Sequence, residues 1–320
     1  YQNSRALDRR LRVGYVSPDF RRHAVAYFAL PLLEKLDSTK VEIFCYYNHL
    51  QHDEWTAKFK TRADHWRDVV ALSDEALAEQ IREDQIDVLV DLAGHTDRNR
   101  LLTFARKPAP VQVTWMGYVT TTGLSAMDWR VTHEDTDPES SDAHYSEKLW
   151  RLPGTMWCYR PLPDTPDVSP LPFEHKGHIT FGSFNRYSKN GAVVLEAWAS
   201  ILNRVPNSRL LIGIPEGNAR QNLADFMAER GVTPDRIDCF GKVSHAEFWR
   251  LHGEVDIALD PFPFGGGTTT CETLWMGVPL VTCTGKEGGD FEPRFASKMG
   301  YAFLNRLLTQ WQIISMWQLG

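Results

Sequence analysis

The sequence contains no long apolar run. None of its stretches approaches the roughly 20 consecutive apolar residues that span a bilayer, and the opening residues, Tyr-Gln-Asn-Ser-Arg-Ala-Leu-Asp-Arg-Arg, lack the apolar core of a secretory signal peptide. These absences argue against a membrane protein and against a secreted one. We therefore expect a cytoplasmic globular protein that makes no use of a membrane.

Positive charge is also scarce. The 320 residues include 35 Lys and Arg against 41 Asp and Glu, which gives a formal net charge of −6. The basic residues are scattered among acidic ones, so the chain offers no extended positive surface to a phosphate backbone. Nucleic acid is therefore not an expected partner.

Cysteine is sparse as well, with five residues in the whole chain. Their odd number and wide spacing do not suit a disulfide framework or a zinc site. Most of them lie in apolar surroundings that are typical of strands or helices. We expect buried free thiols in a reducing compartment. The five are Cys45, Cys158, Cys239, Cys271 and Cys283.

Several widespread catalytic signatures are missing. The Walker A loop, His-Glu-x-x-His, paired Cys-x-x-Cys and Gly-x-Ser-x-Gly do not occur. Asp135 and Asp137 form an Asp-x-Asp pair, a spacing that often holds a divalent metal beside a nucleotide. The pair lies in a polar stretch away from the other candidate residues, so we expect a solvated loop and no metal site.

Short apolar runs alternate with helical patterns along the chain, which is typical of α/β proteins with a parallel sheet. Five prolines between Pro161 and Pro172 indicate a linker. We therefore predict a domain over residues 11–160, a Pro-rich linker over 161–175 and a second domain over 176–320. Both halves have the Rossmann-like alternation, and ligands of such sheets bind at the carboxyl ends of the strands. A cleft between the two domains is the expected active site.

The predicted strands are numerous, short and apolar. They are Leu11–Ser17, Val41–Tyr47, Asp68–Leu72, Ile86–Leu92, Val111–Trp115, Asp128–Thr132, His178–Phe184, Ser208–Ile214, Arg236–Phe240, Val255–Asp260 and Val278–Cys283. Three helices have clear patterns. Ala24–Leu36 is one, Ser73–Glu83 has a serine cap and acids in its first turn, and Gly191–Val205 places apolar residues on one face.

A Gly-rich block follows the apolar run that ends in Asp260. Three glycines (Gly265, Gly266 and Gly267) precede three threonines, Thr268, Thr269 and Thr270, which open an amphipathic helix. Glycines let a ligand approach the backbone closely, and a helix start offers unpaired N–H groups with partial positive charge. We interpret the block as a cradle for the diphosphate of a nucleotide-sugar. An ordinary Gly-rich connection with a threonine N-cap is an equally good explanation at this point.

Cationic and acidic residues stand near this block in the predicted fold. Lys189 follows a predicted strand at a position from which an ammonium group could reach a diphosphate, with Asn185 and Arg186 as further donors. The alternative is a solvated lysine, but a cation beside a helix start is unfavourable unless an anion also binds. Glu272 could accept hydrogen bonds from ribose hydroxyls or merely complement the helix dipole.

In the first half, two histidines follow predicted strands. His23 comes after Leu11–Ser17 and could act as a general base, or could cap the helix or contact a phosphate without moving a proton. His95 follows Gly94, which permits a sharp turn or the close approach of a substrate. A catalytic role for His95 and a loop histidine whose hydrogen bonds are satisfied are equally good explanations. Gly117 and Tyr118 begin a further loop of small and hydroxyl residues at a strand end, a weak signal for an acceptor or sugar contact.

Taken together, these segments resemble the catalytic region of the protein O-GlcNAc transferases and of the SPINDLY-type protein O-fucosyltransferases. The resemblance runs over about residues 11–305. The segments that carry it are Leu11–Phe20 with His23, Asp87–Thr96, Pro108–Gly117, Phe181–Asn185 with Lys189, Trp198–Ser208 and Gly266–Glu272.

The resemblance implies a GT-B architecture, in which two Rossmann-like domains with parallel sheets face each other and the C-terminal one holds the donor. It implies inverting, metal-independent transfer of a sugar from a nucleotide-sugar to Ser or Thr of a protein, without a cofactor. The residues matching Lys189, Thr268 and Thr269 hold the diphosphate in that family. The acidic residue matching Glu272 contacts the ribose, and the histidine matching His23 lies in the active site.

Three hypotheses about function remain open at this stage. The first is a transferase whose donor is UDP-GlcNAc. The second is a transferase of the SPINDLY branch whose donor is GDP-fucose. The third is a catalytically silent remnant that binds a nucleotide or a partner. Phe248 stands where relatives have a polar donor contact, and the apolar end of the chain suggests a truncated sequence. Members of the family carry upstream tetratricopeptide repeats that recruit acceptors, and a full-length form could include them.

Overall fold

A computed structural model describes residues 1–285 and 295–305. The chain divides into two compact units, Tyr1–Arg160 and a second that begins at Pro161. Each unit contains one sheet of parallel strands, as the alternating sequence pattern predicts. Within the described residues no helix combines the length and apolarity that a membrane span requires.

The first unit is built on seven strands, which pair in the order β3-β2-β1-β4-β5-β6-β7. Their bounds are β1 Leu11–Ser17, β2 Val41–Tyr47, β3 His65–Asp68, β4 Val88–Asp91, β5 Val111–Thr114, β6 Trp129–Thr132 and β7 Lys148–Arg151. All neighbouring strands are parallel. The strand order reverses at β1, so β1 and β4 leave a crevice beyond their carboxyl ends.

Helices pack on this first sheet and close its core. They are α1 Ala26–Lys35, α2 Glu54–Lys60, α3 Asp74–Glu83 and α4 Leu101–Ala105, with a 3-10 turn at Glu139–His144. The predicted serine cap of α3 is confirmed, because Ser73 Oγ accepts a hydrogen bond from the Ala76 amide at 3.2 Å. Leu77, Ile81 and Phe104 are fully buried against the sheet.

The second unit repeats the topology with five strands, in the order β10-β9-β8-β11-β12. They are β8 Thr180–Ser183, β9 Arg209–Gly213, β10 Ile237–Phe240, β11 Ile257–Leu259 and β12 Leu280–Val281, and every pair is parallel. The order reverses at β8, which places the crevice beyond β8 and β11.

Helices also accompany this second sheet. They are α5 Pro172–Lys176, α6 Ala192–Arg204, α7 Asn218–Ala228, α8 His245–His252 and α9 Thr268–Trp275. Short 3-10 turns lie at Tyr187–Lys189 and Pro234–Arg236, and residues 295–305 are also helical. The apolar spacing predicted for α6 is confirmed, since Val194, Trp198 and Leu202 form its buried stripe.

One strand of the first sheet was predicted at the wrong residues and another was not predicted, and both lie at the edges of that sheet. The predicted strand Asp68–Leu72 lies at His65–Asp68, and β7 was not predicted. Both edge strands are four residues long and mix polar with apolar side chains, so neither gives the buried apolar run that marks an inner strand.

The expectation of mostly buried thiols holds for Cys45 and Cys271. The other three are half-buried or exposed, and all five are free.

The Asp-x-Asp pair is not the solvated loop expected from sequence. Asp137 is buried, and its carboxylate accepts hydrogen bonds from the Tyr145 hydroxyl at 2.8 Å and from the Thr132 hydroxyl. Polar neighbours in sequence hid this role, because the partners belong to β6 and to the segment before β7. Asp137 thus stabilises the local fold of the first unit.

Part of the Pro-rich segment packs on the second unit. The Phe173 amide donates to Asp256 Oδ1 at 2.8 Å. Val168 lies against Gly277, where a β-carbon would stand 2.6 Å from Val168 Cγ1. Gly277 has a φ of +74°, so both its backbone and its close neighbour favour glycine there.

Replacing Gly277 tests this contact. Gly277→Ala should lower the free energy of unfolding by about 1–3 kcal/mol more than Gly217→Ala does, because an overpacked contact is added to the backbone strain. Gly217 is the matched control: its φ is +100°, and nothing lies within 4 Å of its β-carbon position. Denaturant unfolding of both variants gives the difference, and equal losses would show that Val168 does not constrain this site.

Candidate functional site

The second unit gathers most of the predicted ligand-binding residues at one edge. Asn185 and Lys189 follow β8, while Asp260 and Gly266 follow β11. Strands β8 and β11 are parallel neighbours, with Phe181 opposite Ile257. Their loops therefore leave the sheet side by side at its topological switch point, where ligands of open α/β sheets bind.

Lys189 is the central cation of this edge. Its ammonium nitrogen donates to Gly265 O at 2.8 Å and to Asn185 Oδ1 at 3.2 Å, and it lies 4.6 Å from the centre of the Phe264 ring. Burial lowers its pKa to about 8, Asp260 opposes that shift, and Arg186 adds to it. Lys189 uses two of its three N–H groups on these oxygens, so one is left for a ligand oxygen.

The Gly-rich block forms a tight turn onto helix α9. A β-carbon on Gly266 would lie 2.4 Å from Thr270 Oγ1 and 3.2 Å from Asn185 Nδ2, so only glycine fits there. Gly267 is the N-cap residue, and as a glycine it has no side chain with which to cap the helix. The alternative of a threonine N-cap is therefore wrong for this helix. Thr268 and Thr269 are half-buried in the first turn, beside amides that are available to an anion.

Glu272 lies deeper in the same helix. It is 6% exposed, and burial raises its pKa to about 8. Its carboxyl makes no hydrogen bond within residues 1–285 and 295–305. A neutral carboxyl group can both donate and accept, so Glu272 is suited to the hydroxyl groups of a bound ribose.

Arg186 lies further out than the other predicted residues of this edge. It precedes the 3-10 turn that ends at Lys189, and its side chain is exposed. It still acts on the site electrostatically, because its charge lowers the pKa of Lys189. The structure thus brings together Asn185, Lys189, Gly266 and the start of α9, with Arg186 at the periphery.

In the first unit, His23 stands beyond the carboxyl end of β1. Its Nδ1 lies 3.4 Å from Asp19 Oδ2 and 3.3 Å from the Val25 amide nitrogen, which donates to it. Asp19 is 5% exposed, and burial raises its pKa to about 6. His23 thus lies beside a buried acid at the switch point of the first sheet.

His95 lies in the loop after the neighbouring strand β4. Asp91, at the end of that strand, accepts hydrogen bonds from the Gly94 amide at 2.9 Å and the Thr114 hydroxyl at 2.8 Å, which fixes the turn. His95 Nε2 lies 3.1 Å from Thr121 O, and the side chain is exposed. His23 and His95 therefore follow adjacent strands of one sheet edge.

Gly117 packs against the backbone of the loop that follows β4. Its φ is +60°, and a β-carbon would lie 2.4 Å from the backbone of Ala93. The Tyr118 amide donates to Ala93 O at 3.0 Å, and the Tyr118 side chain is 43% exposed. Packing between two loops is thus sufficient to require glycine here, while Tyr118 offers its ring to solvent beside His95.

Sequence reasoning missed the buried acids that organise these edges. Asp19, Asp91 and Asp260 are each at most 5% exposed, and each ends a strand of a switch point or follows it within two residues. Such a carboxylate after an apolar run is a usable signal, because burial requires donors from the loops nearby. Within the described ranges no cluster of three or more His, Cys, Asp or Glu side chains could hold a metal ion.

Two units, each a parallel sheet with a ligand-suited edge, are the architecture of the GT-B fold that glycosyltransferases have. The structure is similar to a mutant of the O-GlcNAc transferase from Thermobaculum terrenum, with a TM-score of 0.87 and 38% identity, over 93% of this chain and 56% of that one. A glycosyltransferase from Rickettsia africae, 13% identical, shares the fold with a TM-score of 0.55 over 93% of this chain and 88% of that one.

Residues 1–159 and 172–297 match glycosyl transferase family 41, and the chain belongs to this family. It is 40% identical over 293 residues to the probable UDP-N-acetylglucosamine–peptide N-acetylglucosaminyltransferase SPINDLY of Oryza sativa subsp. japonica, covering 89% of this chain and 32% of that protein. It is 34% identical over 287 residues to the corresponding SEC protein of Arabidopsis thaliana, covering 86% and 29%. The chain thus spans about a third of the length of these relatives.

The buried carboxyl of Glu272 makes stability depend on pH. Its pKa is higher in the folded state than in the unfolded chain, so folding loses stability as pH rises from about 4.5 to about 8, by roughly 1.4 kcal/mol per pH unit at most. Glu272→Gln should remove that part of the decline. Unfolding free energies at pH 5.5 and 8.5 measure it, with the exposed Glu216→Gln as control. A decline as steep in Glu272→Gln as in the wild type would contradict the assignment.

Proposed function

We propose that this chain is the catalytic region of a protein O-glycosyltransferase that moves N-acetylglucosamine from UDP-GlcNAc to Ser or Thr hydroxyls. The names of the SPINDLY and SEC relatives support the donor and the peptide acceptor. The observation that carries the proposal is the ammonium of Lys189 lying against Gly265 beside the uncapped start of α9. That arrangement suits an anion with two charged phosphates.

In this proposal the second unit holds the donor. Lys189, the amide of Gly267, and the hydroxyls of Thr268 and Thr269 bind the diphosphate, while Gly266 allows the tight turn that brings them together. Asn185 fixes Lys189 through the bond from its ammonium to Oδ1. Glu272 binds the ribose, and the exposed Arg186 adds positive charge at the rim.

Transfer then depends on charge that develops as the sugar leaves the diphosphate. The acceptor oxygen attacks the anomeric carbon, the bond to the phosphate oxygen breaks, and the nucleoside diphosphate departs with the additional negative charge. A protonated Lys189 and the dipole of α9 stabilise that charge, which is the role a metal ion has in other transferases. Attack from the opposite face inverts the anomeric configuration.

The first unit contributes the acceptor side in this proposal. His23, which lies beside Asp19, or His95, which follows the Asp91 turn, accepts the proton of the Ser or Thr hydroxyl. Tyr118 offers an exposed ring beside His95 for an acceptor or sugar contact. Tetratricopeptide repeats in a full-length form would recruit acceptor proteins, since the relatives are about three times longer than this chain.

GDP-fucose is the second candidate donor. Phe184 directly follows β8, and its ring meets that of Phe248 edge to face at 5.6 Å; both rings are half-buried. An apolar ring surface can stack on either a pyrimidine or a purine, and therefore does not select uracil. The identity to SPINDLY, 40% against 34% to SEC, is a reason to test both nucleotides.

Calorimetric titration with UDP and with GDP tests the donor site. We expect UDP to bind, and Lys189→Met to weaken it about tenfold to a hundredfold because a hydrogen bond from a charged group is lost. Lys242→Met is the matched control, an exposed lysine of the same unit that should leave affinity unchanged. Binding of GDP alone would support the fucose donor. Unchanged affinity in Lys189→Met would refute the assigned diphosphate site.

The metal-independent mechanism has its own test. Sugar transfer to a peptide acceptor should proceed at the same rate with and without excess chelator, because Lys189 and α9 supply the positive charge. Addition of Mg²⁺ or Mn²⁺ to the chelated enzyme serves as the control. Loss of transfer in chelator and its return with metal would contradict the proposal.

A further inference from the structure

Asn185, Lys189, Gly266 and the start of α9 form the candidate donor edge. Asp260 occupies its centre, although no ligand group is assigned to this residue. The residue follows β11 directly and is 2% exposed. Its Oδ1 accepts hydrogen bonds from the Gly266 amide at 2.8 Å and from Asn185 Nδ2 at 3.2 Å, and its Oδ2 accepts one from the Thr282 hydroxyl at 2.9 Å. All three partners donate, which is the pattern that an ionised carboxylate requires.

These bonds hold both oxygens to which Lys189 donates. One oxygen is Asn185 Oδ1, whose amide is oriented by the bond from Nδ2 to Asp260. The other is the carbonyl of Gly265, whose neighbour Gly266 donates its amide to the same carboxylate. A single side chain thus fixes both hydrogen-bond acceptors of Lys189, from two different loops.

The surroundings leave the carboxylate no room to move. A β-carbon on Gly265 would lie 2.7 Å from Asp260 Oδ2, and one on Gly300 would lie 2.9 Å from it. Two glycines and Thr282 therefore lie close against Oδ2 of Asp260. Packing of this kind keeps a side chain in one rotamer and so makes it an accurate support for its neighbours.

The charge of Asp260 also acts on Lys189. Asp260 and Arg186 are the charged groups that shift the Lys189 pKa: Asp260 raises it, while Arg186 and burial lower it. In return, Lys189 lowers the pKa of Asp260, which burial raises. Without the carboxylate charge, burial and Arg186 would act unopposed, and Lys189 would lose its proton at a lower pH.

We propose that Asp260 is a positioning residue for the diphosphate, one that orients the ammonium of Lys189 and keeps it charged. This inference rests on the proposed function, because it assigns the diphosphate of the donor to Lys189. Asp260 itself does not touch the donor; it acts through Asn185, Gly266 and Lys189.

The variant Asp260→Asn separates charge from shape. An asparagine can keep its oxygen toward Gly266 and Asn185 and donate from its nitrogen to the Thr282 hydroxyl, which is able to accept. Asp256→Asn is the matched control. Asp256 lies at the other end of the same strand, is 3% exposed and accepts the amides of Phe173 and Thr180, each at 2.8 Å. It tests the loss of a buried carboxylate without a change at the donor edge.

The first measurement needs no nucleotide. Competitive acylation of Lys189 as a function of pH reports where its amine loses the proton. The wild type should titrate near pH 8, and Asp260→Asn should titrate lower by about one pH unit or more. Asp256→Asn should titrate as the wild type does. Unchanged titration in Asp260→Asn would overturn the proposal, whatever the fate of the proposed function.

The second measurement is the affinity for UDP and for GDP between pH 6.5 and 9.5. Wild-type affinity should be constant below about pH 8 and fall above it, because an anion binds the protonated amine. In Asp260→Asn the fall should begin at lower pH, with binding about tenfold weaker at pH 7.5. An Asp260→Asn profile that equals the wild type would reject Asp260 as a positioning residue. If Lys189→Met also binds normally, the donor site itself is rejected.

Discussion

Parallel pairing at two reversals of strand order is the constraint on which the site depends. Strands β1 and β4 pair in one unit, and β8 and β11 in the other, so each pair delivers two loops to the same sheet edge. Most of the predicted site residues lie on one of these loops or on helix α9, which begins where the loop after β11 ends. The strands of a parallel sheet are buried, so ligand-binding residues lie on the loops at the carboxyl ends of the strands. Both units therefore have candidate site residues at this edge of their sheet.

The donor edge also holds charge at a cost in stability. Burial lowers the pKa of Lys189 and raises that of Glu272, each toward its neutral form. A protein that only needed to fold would gain by exposing or pairing these groups. A bound nucleoside diphosphate would supply what both lack: phosphate oxygens for the ammonium and hydroxyls for the carboxyl. Perturbed groups beside an uncapped helix start are thus a physical argument for a ligand.

Sequence reasoning recovered the inner strands, the serine cap of α3 and the buried stripe of α6, because each depends on residues close together in the chain. It displaced the edge strand β3 and missed β7. It also described Asp137 as solvated, whereas the residue is buried against Tyr145. The edge strands depend on pairing with strands elsewhere in the chain. Asp137 is different, because its partners Thr132 and Tyr145 are near in sequence and meet it only through the fold of β6 and the segment before β7.

The local order of residues by itself determined the two α/β units, the glycine turn before α9 and the positions of Lys189 and His23 after strands. Only the tertiary structure decided which groups meet. Asn185 bonds to Asp260 across 75 residues, and Lys189 to Gly265 across 76. It also packed Gly117 between two loops and buried Glu272 with no hydrogen-bond partner among the residues that the structure describes. Periodicity and caps are local properties, but hydrogen bonds and burial between loops exist only once the sheet has brought those loops together.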